Sequence, residues 1–414
     1  MKYYINDSYK YVKGCTGGAI YDLKNGKIYH INQDGCIILE AIMNGDDDHI
    51  EKTYKGYTDK LIHLGIIDTK KCDESNYLPL EPKLLYAWLE LTDKCNMECI
   101  HCYGEFGHAK QKENNYLLKD EWKQILSVLS NYGLKKIQFI GGEPLLYPHF
   151  KELLLYANEL GFEVDVFTNG YYIDEEIVSL FKKTNTSVRV SIYGYDESSH
   201  ELITNCKGSF ERVDKALSLL KASDVKASTA VVLMKENEEY VERIKGYIQD
   251  KGYLFSYDTI RQTCQDSLSK HCLKNVKMLE SRYFTRPNFI VTENAFRRNI
   301  KWNSCWFGKV AISSTGDILP CTFARNLSCG NIRVNSEIEI GNNLIQYWGL
   351  SKDNIEECQI CEYRYACHDC RPISMGVNGN IYEKYPRCCY DPGNCEWRDI
   401  KEVASFELNN KDSI

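Results

Sequence analysis

The sequence predicts an α/β fold: an open, partial (β/α) barrel preceded by a small module and followed by a cysteine-rich domain. Three observations carry the prediction. Strand and helix patterns alternate from about residue 84 to 260. Several strand segments are short, β-branched or aromatic, and apolar on both faces, as buried parallel strands are. The 19 cysteines gather in one early loop and again towards the C-terminus, where C-x2-C spacings recur.

The elements follow in order. In residues 1–80, a turn at Lys24-Asn25-Gly26 joins two strands, and a helix within CIILEAIMNG stops at Gly45. TDKLIHLGIID then reads as a short helix and a strand, which together make the layout of a small winged-helix domain. Pro79-Leu80-Glu81-Pro82 is a linker. Strands are expected at Tyr86–Leu91, Lys136–Ile140, Glu163–Phe167, Ser187–Tyr193, Lys226–Leu233 and Phe255–Ile260. Helices are expected at Lys119–Ser130, His149–Leu160, Asp174–Lys183, Ser209–Ala222 and Glu236–Asp250, with the 3.6-residue apolar period clear in FERVDKALSLLK. Such alternation builds right-handed parallel βαβ units, and these are too few to close an eight-stranded barrel. Residues 261–302 are basic and irregular and form a bridging region. Residues 303–400 form the cysteine-rich domain, which opens on a hairpin between Cys305 and Cys321, turning at Thr315-Gly316-Asp317.

Composition excludes several classes. Hydrophobic residues at 43% and charged residues at 26% are globular values. A net charge of −7 offers no general attraction to nucleic acid. No apolar stretch approaches the ~18 residues of a membrane span, and the N-terminus lacks an apolar signal core. Clustered cysteines without a secretory signal point to metal binding in a reducing cytoplasm rather than to disulfides. Asp46-Asp47-Asp48 reads as a solvated turn.

Cys95, Cys99 and Cys102 follow the first barrel strand, with three and then two residues between them. That spacing holds three irons of a four-iron, four-sulfur cluster and leaves the fourth iron open. A zinc loop or three buried thiols are the other readings of the spacing alone. His101, an aromatic residue, stands just before the last cysteine, and Gly141-Gly142-Glu143-Pro144 follows the second strand. Glycines allow close backbone approach, and a carboxylate beside them accepts from an ammonium group. Both segments lie at the carboxyl ends of their strands, where active sites of such sheets gather. Asn169 and Ser191 occupy the next two strand ends, although Asn-Gly is also ordinary turn chemistry.

Together these motifs resemble the radical S-adenosylmethionine (SAM) enzymes. The resemblance implies a six-stranded partial TIM barrel. It implies a [4Fe-4S] cluster on Cys95, Cys99 and Cys102, with SAM held by Gly141, Gly142 and Glu143. It places His101 near the adenine, and Asn169 and Ser191 near the ribose or carboxylate. The C-terminal cysteines resemble the SPASM extension, which carries two auxiliary [4Fe-4S] clusters. The match departs at one point: two residues, not three, separate Cys367 from Cys370. Carried over, Cys305, Cys321 and Cys370 serve the first auxiliary cluster. Cys358, Cys361, Cys367 and Cys388 serve the second, with Cys389 the neighbouring choice for the late ligand. No cysteine lies shortly ahead of Cys305. The first auxiliary cluster therefore recruits Cys329, Cys272 or Cys264, or keeps one iron open to a substrate thiolate, a soft ligand suited to iron. By itself the region reads as a zinc ribbon.

The N-terminal layout resembles the RiPP recognition element, which binds the leader of a ribosomally made precursor peptide as an added strand. The whole then resembles a radical SAM/SPASM peptide maturase. It would cross-link its peptide oxidatively, with a thioether from cysteine sulfur to carbon as the leading product and a carbon–carbon link next. Flavodoxin or ferredoxin would donate electrons. An anaerobic sulfatase-maturating enzyme, which makes formylglycine, shares the barrel and SPASM parts but needs no leader-binding wing. A zinc-dependent scaffold is the alternative from another class. No acid or base residue stands out.

Overall fold

The computed structural model describes residues 2–46, 53–70, 77–107, 115–263, 270–280, 282–283 and 289–405. Asp47, Asp48 and Cys264 lie outside these residues. The chain forms two compact units. One combines Met1–Glu81, Glu280–Phe307 and Trp348–Ala404; the other combines Pro82–Leu279 with Gly308–Tyr347.

The first unit begins with β1 (Tyr4–Ile5), β2 (Tyr9–Lys13), β3 (Gly18–Asp22), β4 (Lys27–Ile31), α1 (Gln33–Asn44), α2 (Lys55–His63) and β5 (Ile67–Asp68). β3 is the centre of an antiparallel sheet with β2 and β4, and β1 pairs with β5. The β3–β4 turn falls where the sequence placed it. Asp22 Oδ1 accepts from Asn25 N at 2.9 Å, and Gly26 takes φ +72°, a left-handed conformation that glycine adopts without penalty. Asn32 caps α1 by accepting from Gly35 N at 3.1 Å, and Gly45 ends it.

β3 buries both of its faces. Ile20 joins Ile38, Leu39, Ile42, Leu61 and Ile67. Ala19 and Tyr21 face the other way and pack with Val291, Phe296, Tyr363, Ala366 and Tyr390. The Tyr21 hydroxyl donates to the Glu362 carbonyl at 2.8 Å. The N-terminal module thus shares a core with the cysteine-rich segment of the same unit.

The second unit is the barrel. Its parallel strands β6 (Tyr86–Glu90), β7 (Lys136–Ile140), β8 (Glu163–Thr168), β9 (Ser187–Ser191), β10 (Ala227–Leu233) and β11 (Tyr257–Thr259) lie side by side in chain order. Helices α3 (Lys119–Asn131), α4 (Phe150–Glu159), α5 (Glu175–Lys183), α6 (Glu197–Thr204), α7 (Ser209–Ala222) and α8 (Val241–Asp250) connect them. α3 buries Trp122, Ile125, Leu126 and Leu129 at helical spacing. Each fully buried aliphatic side chain of this kind contributes about 1.5–3 kcal/mol. α6 is absent from the sequence prediction. It is short, capped by Asp196 and ended at the left-handed Asn205.

The sheet has eight strands, not six. β12 (Lys309–Ile312) pairs parallel with β6, and β13 (Ile318–Leu319) pairs antiparallel with β12. The hairpin assigned to the cysteine-rich domain therefore extends the barrel sheet. The physical reason is the open edge of β6, whose ladder groups need a partner. Val310, Ala311 and Ile312 bring a buried apolar strand to it. No helix among the described residues is long and apolar enough to cross a membrane.

Candidate functional site

Cys95, Cys99 and Cys102 leave the end of β6 in one loop and are free thiols. Two backbone bonds tie that loop to the end of α6: Glu98 N to Thr204 O at 3.1 Å and Ile100 N to Ile203 O at 3.0 Å. A second pair ties the β6 exit to the β7 exit: Gly142 N to Thr92 O and Glu143 N to Lys94 O, both at 2.8 Å. These contacts explain the two glycines. A Cβ on Gly141 would stand 2.2 Å from Thr92 O, and one on Gly142 would stand 2.2 Å from Lys94 O. Gly141 also has φ +145°. The backbone that the glycines admit most closely is the entry to the cysteine loop itself.

Glu143 is fully buried. Its Oε1 accepts from Leu145 N at 3.1 Å and Thr168 Oγ1 at 2.8 Å, and its Oε2 accepts from Asn169 N at 2.8 Å. Burial pushes its carboxyl up to about 7, against the pull of these donors. The carboxylate fastens the end of β8 to the end of β7. Asn169 carries the link onward: its Nδ2 donates to Asn96 Oδ1 at 2.8 Å and points at Cys95 Sγ at 3.8 Å. Three strand-end segments, those of β6 with the cysteine loop, β7 and β8, are thus joined through side chains that the sequence singled out. Ser191, at the end of β9, hydrogen-bonds the Tyr193 side chain.

His101 is half-buried, and its shielded Nδ1 has no partner among the described residues. Its ring meets Tyr193 edge-on, with centroids 4.5 Å apart. Burial, and then the nearby His271, push its pKa down to about 4, so the ring is neutral near pH 7. An orphaned ring nitrogen at the mouth of the loop suits contact with a polar heterocycle.

The three thiols resist ionisation on their own. Burial pushes Cys95 up to about 12. It raises Cys99 too, and the charges of Cys102 and Cys95 raise Cys99 further. At Cys102 the backbone amides of Gly104, Phe106 and Glu105 oppose burial, with Phe106 N 3.3 Å from Sγ. The described residues gather no three side chains closely enough to hold a metal ion, but thiols on one loop that accept amide hydrogens and need a cation to ionise suit the chemistry of an iron–sulfur cluster.

Next to this loop lies an ion pair that no sequence pattern announced, between the buried Glu90 and the partly exposed Arg325. Arg325 Nη1 and Nη2 donate to Glu90 Oε2 and Oε1 at 2.8 and 2.6 Å. The guanidinium lies 5.4 Å from the ring centroids of Tyr103 and Phe106. Only the glutamate at the end of an otherwise apolar strand hinted at it.

In the first unit, Cys358, Cys361, Cys367 and Cys388 influence one another electrostatically. Cys358 and Cys367 each feel the charge of Cys388, and Cys361 feels Cys367 and Cys358. Cys389 is fully buried, and burial pushes it up to about 11. Cys305 and Cys370 belong to this unit and Cys321 to the barrel unit. Cys321 Sγ accepts from Phe323 N at 3.4 Å. Cys329 is buried and raised to about 12 by burial alone.

Residues 89–248 match the family model of the Radical SAM superfamily. The chain carries a radical SAM domain over these residues. Its chemistry implies a four-iron, four-sulfur cluster and SAM. The AdoMet-dependent heme synthase of Methanosarcina barkeri is 26% identical to this chain over 346 residues, covering 75% of this chain and 97% of that protein. The antilisterial bacteriocin subtilosin biosynthesis protein AlbA of Bacillus subtilis is 25% identical over 326 residues, covering 75% of this chain and 71% of AlbA. The sporulation killing factor maturation protein SkfB of B. subtilis is 30% identical over 192 residues, covering 46% of this chain and 43% of SkfB. Among solved structures, Streptococcus suis SuiB bound to SAM has a TM-score of 0.60 at 16% identity, over 92% of this chain and 98% of SuiB. SuiB bound to its precursor peptide SuiA has a TM-score of 0.58 at 15% identity, over 95% of this chain and all of that one.

Proposed function

We propose that this chain is a radical SAM enzyme that matures a ribosomally made precursor peptide by hydrogen abstraction and oxidative cross-linking. The N-terminal module is the observation that carries the reading. The fold likeness to SuiB with its precursor peptide spans 95% of this chain and so takes in most of residues 1–80. The heme synthase match leaves a quarter of the chain unpaired. AlbA and SkfB, by name, act in the biosynthesis of peptide products. The module is read as a winged-helix-like leader-binding domain. β4 pairs with β3 on one side only, and Lys27, Tyr29 and His30 on it are exposed. An open edge with exposed polar side chains can take a leader as a further strand.

When bound, SAM and its cluster supply the radical that takes a hydrogen atom from the peptide. The chain's own residues hold them. Cys95, Cys99 and Cys102 are the ligands, and Gly141, Gly142 and Glu143 carry the β7 exit to the loop. Asn169 and Ser191 line the neighbouring strand ends, and His101 offers its free nitrogen. Cys358, Cys361, Cys367 and Cys388 are assigned to one auxiliary cluster of a SPASM domain, with Cys305, Cys321 and Cys370 assigned to the other. The short supply of ligands at the latter favours a thioether, since an open iron binds a substrate thiolate. Flavodoxin or ferredoxin is the proposed electron donor.

Mass spectrometry of a small peptide encoded beside the gene, co-expressed without air, tests the reading. Loss of two hydrogens per link with cysteines closed to alkylation supports a thioether. The same loss with free cysteines moves the assignment to a carbon–carbon link, and an unchanged peptide removes this substrate. Deletion of residues 1–80 is a poor test, because Ala19, Ile20 and Tyr21 are core residues of the first unit. Charge reversal on the β4 edge, Lys27→Glu, weakens leader-dependent modification while peptide-independent SAM cleavage persists.

A further inference from the structure

The parallel sheet of the barrel unit has two unlike faces. Leu89, Phe139, Val166 and Val188 are lateral neighbours in the ladder and are buried. Phe139 meets Phe150 of α4 with ring centroids 6.1 Å apart, so this face lies under the helices. Side chains alternate along a strand, and the intervening residues therefore face the inside of the barrel. One inward row carries Trp88, Gln138 and Asp165. The next row towards the carboxyl ends carries Phe167, Arg189 and Ser228. A closed barrel fills this space with branched apolar side chains, and parallel strands are ordinarily buried on both faces. Here Trp88, Asp165 and Phe167 are half-buried, and Arg189 is exposed although β9 has a neighbour on each side. The inside of this barrel is open and charged.

Arg189 is held in place but not neutralised. Its guanidinium lies 4.9 Å from the Phe167 ring centroid, and its Nε donates to Ser228 Oγ at 3.3 Å. Among the described residues its Nη groups have no hydrogen-bond partner and no carboxylate lies within ion-pair distance. The carboxylates on the same face are elsewhere. Glu90 is gripped by Arg325, and Lys136 takes Asp165 at 3.1 Å. Asp165 and Glu163 stand two and four residues nearer the amino end of β8 than Phe167, about 7 and 13 Å along the strand. Lys309, the lateral neighbour of Tyr86, adds positive charge 5.7 Å from the Trp88 ring centroid. An arginine braced against an aromatic ring with both Nη groups open is pre-organised for bidentate capture of a carboxylate. Ser191 stands two residues further along β9 on this same face, about 7 Å nearer the strand ends.

We propose that the inside of the barrel seats the core segment of the peptide, and that Arg189 binds an acidic side chain of that segment beside the residue that loses its hydrogen atom. The inference rests on the peptide-maturase reading above. The carboxylate is assigned to the peptide and not to SAM, because the residues assigned to SAM sit at the strand ends and Arg189 sits one row deeper.

The test is equilibrium binding of the fluorescein-labelled precursor peptide encoded beside the gene to the full-length, cluster-loaded enzyme. Fluorescence anisotropy without air, with SAM present, is the readout. A second precursor carries Asn and Gln in place of every Asp and Glu of its core, and the four pairings with the parent enzyme and Arg189→Gln form a double-mutant cycle. Arg189→Gln weakens the natural precursor roughly tenfold or more, the loss of a charge-assisted hydrogen bond. It weakens the amide precursor by less than about twofold, the scatter of uncoupled sites. Arg189→Glu recovers affinity for a precursor with Lys in place of the acidic core residues. A merely structural role for Arg189 would weaken both precursors alike, and equal losses overturn the inference. Unchanged binding of the natural precursor does the same, as does modification of a natural core that has no acidic residue. Weakened SAM binding by Arg189→Gln in equilibrium dialysis without peptide gives the carboxylate to SAM and also overturns it. If the parent enzyme neither binds nor modifies the natural precursor, the maturase reading fails for this substrate, and the parent's own binding curve distinguishes that result from the others.

Discussion

The Glu90–Arg325 pair yields the most exposed test of the site's architecture. Glu90 ends β6, and its side chain is 3% exposed. Arg325 grips both of its oxygens, and the Tyr103 side chain bonds it as well. Burial, with a smaller push from Asp93, raises the Glu90 carboxyl above its ordinary range even with the arginine in place, while the arginine pulls it down. Arg325→Met removes the counter-charge and leaves the carboxylate stranded, a change that costs about 3–5 kcal/mol for a buried pair. Glu90 can escape by protonation, and this gives the prediction a sign in pH. Without Arg325 its folded pKa rises further above the unfolded value. The protonated form stabilises the fold at low pH, and that stability is lost as pH rises from the ordinary carboxylate range through the folded pKa. The deficit of Arg325→Met is therefore larger at pH 8 than at pH 6. Glu90→Gln/Arg325→Met, with no charge to strand, recovers at least half of it. Urea unfolding of the four proteins at both pH values, as a double-mutant cycle, reads these quantities. A deficit under about 1 kcal/mol, no pH dependence, or a double variant as weak as Arg325→Met would refute the assignment of a structural buried ion pair.

Three further outcomes follow from the same geometry. Gly142→Ala forces its Cβ against Lys94 O and pushes the cysteine loop from its seat; iron retained after anaerobic reconstitution should fall, as titrated by chelator release. Cys388→Ser should lose about four irons per chain, one cluster's worth, whereas Cys389→Ser should keep them, because the other cysteines of the group feel Cys388. Glu143→Gln cannot accept from Leu145 N, Thr168 Oγ1 and Asn169 N with both oxygens. The loss of a charge-assisted bond, about 1.5–3 kcal/mol, should weaken SAM binding by roughly 10- to 100-fold in equilibrium dialysis, with iron content unchanged.

Much of this protein was written locally. Apolar periodicity set most strands and helices of the barrel to within a residue or two, because each βα unit is decided by its own pattern; α8 begins five residues later than expected, and α6 was not foreseen. β7 and α7 match their expected bounds outright. The spacing of Cys95, Cys99 and Cys102 and the two glycines named the chemistry, since a loop that holds a cluster must carry its ligands close together in sequence. Tertiary structure decided what depends on distant pairing. The hairpin after Cys305 joined the barrel because β6 offered an unpaired edge and β12 a buried strand to fill it. The N-terminal sheet shared its core with Phe296, Tyr363 and Tyr390 because β3 is apolar on both faces and one module could cover only one of them. Arg325 on Glu90, and Lys352 with Arg371 on Asp369, are pairings across 235 residues in one case and across two loops in the other. No sequence period announces such pairs. They exist because a buried charge must find its partner wherever the fold brings one.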